Sequence, residues 1–524
     1  MTRCDGTSTL AHVLRRTAQS QPNATAQVFR DRTTSYADFD RHASQVANGL
    51  VALGARPQTR IGYLGKNSDL FFELLFGCLK INVVLVPVNW RLAAPEAAAI
   101  LADAGADITF VGPGYAPMIA AIECQSSRRA HRISLDGASP DWPDFAAWRD
   151  AQPASDPEIS AAPDDTALQL YTSGTTGLPK GVELTNRNYL SLFETWRVSG
   201  VGAVGPADVV LTCMPVYHVA GSDIGLVALV SGAKNVIMEE VNVAGILDLV
   251  PRHGITYALF VPAVVLALVQ HADTPNVDFS SLTKLLYGAS PIAEDTVLRA
   301  RALLANTGFW HLYGLTETTG GGAFMPAEMH DPGLGKLRSC GHAYPGTELC
   351  IVGPTGNTLP AGEVGEIVIR HACVMKGYWN NPEVTRAAFF DGGWLRTGDS
   401  AYADDEGFIY IHDRIKDMIL TGAENVYPAE VENALFGHPA IADCAVIGIP
   451  DERWGEAVKA FVVLRPGAAA TAEDIIAHAR ERIAGYKLPK SIDFVESLPR
   501  NPTGKLLRRK LRAPYWAGRA RQVE

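Results

Sequence analysis

The sequence predicts an α/β fold in two parts: a large N-terminal domain with two α/β subdomains and a small β-rich subdomain, then a small α+β C-terminal domain. A chain of 524 residues is too long for one hydrophobic core. Up to about residue 340, apolar β-branched runs alternate with Ala- and Leu-rich helical patterns. The last part, of about 110 residues, has its own α+β pattern and is long enough to fold independently.

The alternation is clearest near the N-terminus. "RIGYLG" (60–65) predicts a strand, and "SDLFFELLFGCLK" (68–80) predicts a helix that Ser68 can cap. "VVLVPVN" (83–89) and "APEAAAILADAGA" (94–106) repeat the strand and helix pattern. Strands that alternate with helices are typical of largely parallel sheets.

The sequence pattern changes twice along the chain. Residues 341–412 contain short strands such as "GEIVIR" and "GFIYIH", separated by Gly, Pro and Asn, which predicts the β-rich subdomain. We therefore expect an N-terminal domain over residues 1–412, a linker at 413–416 and a C-terminal domain over 417–524.

Composition excludes several classes of protein. The formal charge of -10 argues against nucleic-acid binding, which requires many Lys and Arg side chains. The eight cysteines form neither a CxxC pair nor a metal-spaced cluster, which indicates reduced thiols. No signal peptide is apparent, and Pro262 interrupts the most apolar run (255–269), which is shorter than the ~20 residues of a membrane span. These features predict a cytoplasmic protein with no stable membrane insertion.

One loop carries a chemical signal. "LQLYTSGTTGLPKGVELT" (168–185) places hydroxyls, glycines and Lys180 between two apolar runs. Hydroxyls, backbone N–H groups and a lysine together bind phosphate. The loop is not a Walker A motif, because Pro179 precedes Lys180 and Gly181 follows it. "GVEL" has a strand pattern, so the loop joins two strands; a mobile surface hairpin is the rival interpretation.

Further segments remove that rival. "YTSGTTGLPKG" (171–181) resembles the phosphate loop of the acyl-adenylate-forming enzymes, which include acyl-CoA synthetases, peptide-synthetase adenylation domains and firefly luciferase. The resemblance covers nearly the whole chain, in the family's order: "PVYHVAG" (215–221), "YGASP" (287–291), "YGLTET" (313–318), "GWLRTGD" (393–399), "DRIKDMILTGAENVYPAEVE" (413–432) and "NPTGK" (501–505).

The resemblance implies a binding site for ATP and Mg²⁺. Its nucleotide-binding residues would be Thr172, Ser173, Gly174, Thr175, Thr176, Gly177, Lys180, Gly288, Ala289, Ser290, Tyr313, Gly314, Thr316, Asp399, Arg414 and Lys505. Glu317 and Thr172 would hold Mg²⁺, which prefers a few oxygen ligands together with phosphate. The catalytic residues would be Lys505, Glu317 and His218.

The resemblance also implies that the C-terminal domain moves. Lys505 would bridge the acyl carboxylate and the α-phosphate during adenylation, and it would then obstruct an incoming thiol. Rotation of the small domain about Lys416 would withdraw it. The same rotation would bring in the coenzyme A site, formed by Gly422, Ala423, Glu424 and Asn425.

The acyl group would lie beside His218. The implied pocket residues are His218, Val219, Gly221, Ser222, Gly288, Gly320 and Gly321, with Gly322 next to them. None of them is an acidic or basic anchor apart from the histidine, which suits a hydrophobic acid.

The sequence thus predicts an ATP-dependent, AMP-forming acyl-CoA synthetase. Two alternatives stay open: a stand-alone ligase that loads a carrier protein in trans, and a nucleotide-binding protein that has lost catalysis. A peptide-synthetase module is disfavoured, because the acidic "FDxS"-type signature is missing and the chain ends soon after Lys505. The acid could be fatty, aryl, steroid or terpenoid, and the oligomeric state is open, a homodimer included.

Overall fold

A computed structural model describes residues 8–123, 130–172, 179–290, 292–414, 417–421, 424–451, 453–500 and 506–517. Its helices are α1 (Leu10–Ser20), α2 (Tyr36–Ala52), α3 (Asp69–Lys80), α4 (Ala94–Ala104), α5 (Ala116–Glu123), α6 (Phe145–Asp150), α7 (Asn186–Ser199), α8 (Val219–Ser231), α9 (Val243–His253), α10 (Pro262–Gln270), α11 (Glu294–Leu303), α12 (Pro382–Ala387), α13 (Pro428–Phe436), α14 (Ala472–Arg480) and α15 (Arg508–Trp516).

The strands are β1 (Thr25–Phe29), β2 (Arg32–Ser35), β3 (Arg60–Leu64), β4 (Val84–Val88), β5 (Ile108–Val111), β6 (His131–Ser134), β7 (Thr166–Thr172), β8 (Lys180–Thr185), β9 (Val209–Thr212), β10 (Lys234–Ile237), β11 (Tyr257–Phe260), β12 (Lys284–Gly288), β13 (Gly308–Tyr313), β14 (Ala323–Met325), β15 (His342–Ala343), β16 (Glu348–Val352), β17 (Gly365–Arg370), β18 (Gly377–Tyr378), β19 (Phe389–Phe390), β20 (Trp394–Ala403), β21 (Ile409–Arg414), β22 (Ile419–Thr421), β23 (Glu424–Val426), β24 (Ile441–Asp451), β25 (Gly455–Leu464) and β26 (Ser491–Phe494).

Two large, mainly parallel sheets form the N-terminal part. The first has nine strands in the order β15-β14-β13-β12-β11-β9-β10-β1-β2, and its pairs from β13 to β1 are parallel. The second has seven strands in the order β18-β8-β7-β4-β3-β5-β6, parallel from β7 to β6. This confirms the two predicted α/β subdomains.

Helix α3 shows how the local sequence sets an element. The Ser68 hydroxyl accepts a hydrogen bond from the backbone N–H of Leu70 and begins the helix where the sequence predicts. Every residue of α3 is buried. A helix that is apolar on most faces can be stable only in the middle of a large core, and α3 packs against α2 there.

The β-rich sheet differs in extent from the predicted segment, 341–412. It has the strand order β16-β17-β20-β19, with β21 on β20, and therefore begins at Glu348. Strand β15 instead extends the nine-stranded sheet, and β18 extends the seven-stranded sheet. Strand β21 continues to Arg414, two residues into the predicted linker. Two-residue strands carry little pattern of their own, so their long-range partners decide where they belong.

The C-terminal part has its own sheet, in the order β23-β22-β25-β24 with β26 on β25. Helix α13 begins with Pro428, and the Thr471 hydroxyl caps α14 by accepting from the N–H of Asp474, both as predicted. A separate hydrophobic cluster fills this part, and it includes Val431, Val446, Val458 and Ile475. This confirms the predicted α+β domain.

The described residues contain neither a membrane-spanning helix nor a cluster of metal ligands. Among the described residues, no helix is long and apolar enough to cross a membrane. Within the same ranges, no three His, Cys, Asp or Glu side chains are grouped to hold a metal ion. The cysteines that the structure describes (Cys78, Cys213, Cys340, Cys350, Cys373 and Cys444) are free thiols.

Candidate active site

Three of the predicted site residues lie at or after the carboxyl ends of strands in the nine-stranded sheet. Strands β9, β11, β12 and β13 are consecutive and parallel, so their carboxyl ends lie together. His218 follows β9, Gly288 ends β12, and Tyr313 ends β13. Ligands of open α/β sheets bind at such an edge. The topology therefore brings His218, Gly288 and Tyr313 to one side of the sheet.

The phosphate loop joins two antiparallel strands, as the sequence predicts. Thr172, the last residue of β7, pairs with Lys180, the first residue of β8. Between them, the predicted ligands Ser173, Gly174, Thr175, Thr176 and Gly177 lie outside the described residues. Because a strand and not a helix follows the loop, no helix dipole supports phosphate binding there.

Glu317 is held beside this loop by a tyrosine. It lies in a 3-10 turn, Thr316–Thr318, just after β13. Its Oε1 accepts a hydrogen bond of 2.9 Å from the hydroxyl of Tyr378, and its backbone carbonyl accepts from the N–H of Met375 at 2.8 Å. The ring of Tyr378 also lies 5.0 Å from Nζ of Lys180. One side chain therefore links the predicted metal carboxylate to the phosphate-loop lysine.

Sequence reasoning missed Tyr378. It lies on β18, which pairs with β8 next to the phosphate loop, whereas the sequence analysis assigned it to the β-rich subdomain. Burial and the nearby charge of Glu317 raise the pKa of Tyr378, so its phenol stays protonated and donates. Tyr378 and Glu317 are 61 residues apart, and no local periodicity relates them.

We expect Tyr378→Phe to slow ATP–pyrophosphate exchange about tenfold, because the loss of one hydrogen bond to a carboxylate changes the free energy by roughly 1.5 kcal/mol. The freed Glu317 should also require more Mg²⁺ for the half-maximal rate. Exchange measured over a range of Mg²⁺ concentrations checks both expectations. Tyr486→Phe, at an exposed tyrosine of the C-terminal part, is the control. A rate and Mg²⁺ dependence equal to those of the unsubstituted protein would contradict the role of Tyr378.

The donor set near Glu317 fits Mg²⁺. One of the carboxylate oxygens accepts from Tyr378, and within the described residues the other has no hydrogen-bond partner. The hydroxyl of the half-buried Thr172 likewise has no hydrogen-bond partner in the part of the chain that the structure covers. Mg²⁺ takes one or two protein oxygens and completes its shell with water and phosphate. A single carboxylate with a hydroxyl thus suits a phosphate-bound ion better than an all-protein metal cage.

A second carboxylate marks the nucleotide end of the site. Asp399 on β20 is 7% exposed, and its Oδ2 accepts a hydrogen bond of 2.8 Å from the hydroxyl of Tyr313. Burial and the charge of Asp399 raise the pKa of Tyr313, so this phenol is also a donor. Asp399 is the cross-strand partner of Arg414. The predicted ribose residues are therefore neighbours, and Tyr313 connects them to the end of β13.

Two glycines let backbone segments meet at this edge. A Cβ on Gly288 would lie 2.1 Å from the carbonyl oxygen of Leu312, and one on Gly314 would lie 2.2 Å from that of Gly320. Ala289, next to Gly288, has a φ of +68°, in the left-handed region that alanine seldom adopts. Such strained positions concentrate at functional sites, and this one separates Gly288 from Ser290 in the predicted nucleotide site.

The predicted acyl residues divide into a surface and a layer beneath it. His218 occupies the N-cap position of α8, and His218, Val219 and Gly320 are partly exposed. A Cβ on Gly320 would lie 3.8 Å from Val219, so the two residues face each other. Gly221 is buried, and a Cβ at this position would lie 2.3 Å from the carbonyl oxygens of Met214 and Pro215. Ser222, Gly288 and Gly321 are likewise buried.

An acidic residue that the predicted set does not include, Asp223, lies beneath this surface. Asp223 follows Val219 by four residues, so both lie on the same face of α8. Asp223 is 2% exposed, and its Oδ2 would lie 3.3 Å from a Cβ on Gly320. Burial raises the pKa of this carboxyl well above its usual range. The helical spacing was visible in the sequence and would have located it.

The structure describes only part of the site predicted in the C-terminal domain. Lys505, Lys416, Gly422 and Ala423 lie outside the described residues. Glu424 and Asn425 belong to β23, whose backbone pairs with β22. The ends of the segment that contains Lys505 are held together by a bridge between Arg500 and Leu506, and Arg500 forms an ion pair of 2.7 Å with Asp443. The described residues on either side of positions 501–505 are thus paired with each other.

Comparison with known proteins identifies the family. The family described as AMP-binding enzyme matches residues 14–379, and the AMP-binding enzyme C-terminal domain matches residues 430–505. The chain is 39% identical to the fatty acid–acyl-carrier-protein ligase ScoC of Streptomyces coeruleorubidus, covering 97% of this chain and 96% of that protein. It is 37% identical to a feruloyl-CoA synthase of an Amycolatopsis species, covering 95% and 98%.

A solved structure extends the likeness to the whole fold. The crystal structure of the anthranilate CoA ligase AuaEII in complex with anthranoyl-AMP superposes with a TM-score of 0.91 and 28% identity, covering 98% of each chain. Family match, relatives and fold all indicate the same family. The chain belongs to the AMP-binding enzymes, the adenylate-forming ligase superfamily.

Proposed function

We propose that the protein condenses a hydrophobic carboxylic acid with ATP to an acyl-AMP and then transfers the acyl group to coenzyme A. One observation carries the proposal: Tyr378 links Glu317 to Lys180 at the phosphate end, and Tyr313 holds Asp399 at the nucleotide end. A nucleotide triphosphate has the same two poles, an anionic chain that needs cations and a ribose whose hydroxyls need an acceptor.

The first half-reaction joins two anions. A carboxylate oxygen of the acid bonds to the α-phosphorus, the bond from that phosphorus to the bridging oxygen breaks, and pyrophosphate leaves. Positive charge and correct placement are what a site must supply for this step. Lys180 and Lys505 supply charge, and Mg²⁺ held by Glu317 and Thr172 would neutralise phosphate oxygens.

The second half-reaction needs the same carbonyl to be accessible from another direction. The thiol loses its proton to solvent, its sulfur bonds to the acyl carbon, and AMP leaves with the electrons of the broken C–O bond. In the proposal, residues 413–416 are the hinge, with Lys416 as pivot, and Gly422, Ala423, Glu424 and Asn425 face coenzyme A. Strand β21 supports this position, because it ends at Arg414 where it is paired with Asp399. Motion of the small domain would thus begin at the ribose site.

A carrier protein is the second candidate for the acyl acceptor. ScoC, a relative over nearly the whole chain, is a ligase that acts on a fatty acid and an acyl-carrier protein, whereas the feruloyl-CoA synthase uses coenzyme A. The two names differ in acid as well as in acceptor. The acid of this protein is therefore proposed only as hydrophobic, and its location as cytoplasmic, where thiols such as those described stay reduced.

ATP–pyrophosphate exchange with a panel of fatty, aryl, steroid and terpenoid acids tests the proposal. We expect exchange with at least one acid and, with that acid, AMP release that depends on coenzyme A. Transfer to a phosphopantetheinylated carrier protein without turnover of coenzyme A would favour the second candidate. If no acid in the panel supports exchange, although nucleotide binds, the proposed activity is wrong and the non-catalytic alternative stands.

A further inference from the structure

Asp223 is an unexplained ionisable group beside the acyl surface. Its Oδ1 lies 3.1 Å from the hydroxyl of Ser222, and within the described residues Oδ2 has no hydrogen-bond partner. Among the described residues, no Lys, Arg or His side chain forms an ion pair with Asp223. A carboxyl oxygen with no protein partner can pair with a polar group of a bound ligand.

The position of Asp223 relates it to the bound acid. Val219 and Gly320 are partly exposed on two facing segments, and Asp223 lies one helical turn below Val219 on the same face of α8. A Cβ on Gly320 would lie 3.3 Å from Oδ2 of Asp223. Because glycine has no side chain, Gly320 leaves this oxygen uncovered. The carboxyl is therefore at the bottom of the surface on which the acyl chain is proposed to lie.

The surroundings favour the neutral form of the carboxyl. Burial raises its pKa well above the usual range, and the nearby Ser222 hydroxyl offsets this only in part. Burial also raises the pKa of the nearby Tyr189 phenol, which is thus a second neutral polar group close to Asp223. A neutral carboxylic acid has an O–H donor, which pairs with an uncharged oxygen.

Resting on the proposed function, we propose that Asp223 is a specificity-determining residue that donates a hydrogen bond to a hydroxyl or carbonyl oxygen carried by the acyl chain. The preferred acid is then hydrophobic overall but oxygen-substituted, and an unsubstituted alkyl acid leaves the donor unpaired. Sites built to bond a substrate oxygen discriminate strongly against the analogue that lacks it, because their own buried polar group stays unsatisfied.

The test compares matched acids with and without a hydroxyl or keto group at successive chain positions, in ATP–pyrophosphate exchange. For one position we expect kcat/KM to be at least about tenfold higher for the oxygenated acid. Asp223→Ala should bring that ratio close to one, chiefly by lowering kcat/KM for the oxygenated acid. Asp223→Asn, whose amide can still donate, should keep part of the preference.

Asp248→Asn, an exposed carboxylate on α9, is the control and should keep the full preference. Should Asp223→Ala fail to fold, the wild-type ratio and Asp223→Asn decide. Equal use of substituted and plain acids by the wild type, an unchanged ratio in Asp223→Ala, or a preference for amino-substituted acids overturns the role of Asp223. Those results leave the proposed function intact, because exchange still occurs; absence of exchange with every acid overturns both.

Discussion

Glu317→Gln should lower the rate of ATP–pyrophosphate exchange by about 100- to 1000-fold. Glutamine has nearly the size of glutamate and can still accept from Tyr378, so the substitution removes charge and little else. Without that charge, the site loses the carboxylate that is proposed to hold Mg²⁺ at the phosphates. Exchange measured at saturating acid and ATP gives the effect, and a Mg²⁺ titration should show a much weaker dependence.

Glu328→Gln is the matched control, because Glu328 is exposed in the next 3-10 turn of the same segment. It should exchange at the unsubstituted rate. Circular dichroism and thermal melting should be the same for both variants, since neither side chain belongs to the hydrophobic core. If Glu317→Gln exchanged within about threefold of the unsubstituted protein, Glu317 could not be the metal carboxylate.

Lys505→Ala should separate the two half-reactions. We expect pyrophosphate exchange to fall at least about 100-fold, since the lysine is proposed to bridge two reacting anions. Thioester formation from a supplied acyl adenylate and coenzyme A should stay within about tenfold, because Lys505 is proposed to have left the site by then. Exchange assays and thioester detection on the same preparation measure both steps.

Lys510→Ala provides the control within the same domain. Lys510 is exposed on α15, five residues from Lys505, and should be neutral in the exchange assay. The bridge between Arg500 and Leu506 brackets Lys505 and should survive its loss, so a change in domain stability is not expected. Equal loss of both half-reactions in Lys505→Ala would contradict the proposed withdrawal of the lysine.

Local chemistry explains why much of the fold could be predicted. Ser68 and Thr471 cap α3 and α14 through hydrogen bonds to residues two or three positions away, and such contacts are readable from neighbouring letters. The strands on both sides of the phosphate loop follow from apolar runs that end at glycine and proline. The domain division follows from a change of pattern, which the separate C-terminal core reflects.

What the sequence could not show is non-local. Strands β15 and β18 are two residues long, and their sheets are decided by partners far along the chain. Tyr378 becomes visible as a site residue only when β18 is placed beside β8. Asp223 shares a helix face with Val219, which the sequence shows. Its position beside the acyl surface depends on Gly320, which lies in the connection between β13 and β14.

The roles of several site residues remain predictions from resemblance. They include the loop residues between Thr172 and Lys180 and the lysines at 416 and 505. The structure describes the residues that flank two of these segments. Thr172 pairs with Lys180 on either side of the phosphate loop, and Arg500 pairs with Leu506 on either side of residues 501–505. Of the two residues tested above, Glu317 is therefore described by the structure, whereas for Lys505 only the neighbouring residues are described.

The pairing of β18 with β8 has a consequence for biosynthesis. During translation, the second strand of the phosphate loop leaves the ribosome long before its outer neighbour exists. Until residue 378 has been made, the outer side of β8 is an unsatisfied sheet edge in the nascent chain. We infer that a ribosome-bound fragment truncated before residue 377 binds nucleotide poorly and is prone to aggregate, even though it contains the entire loop.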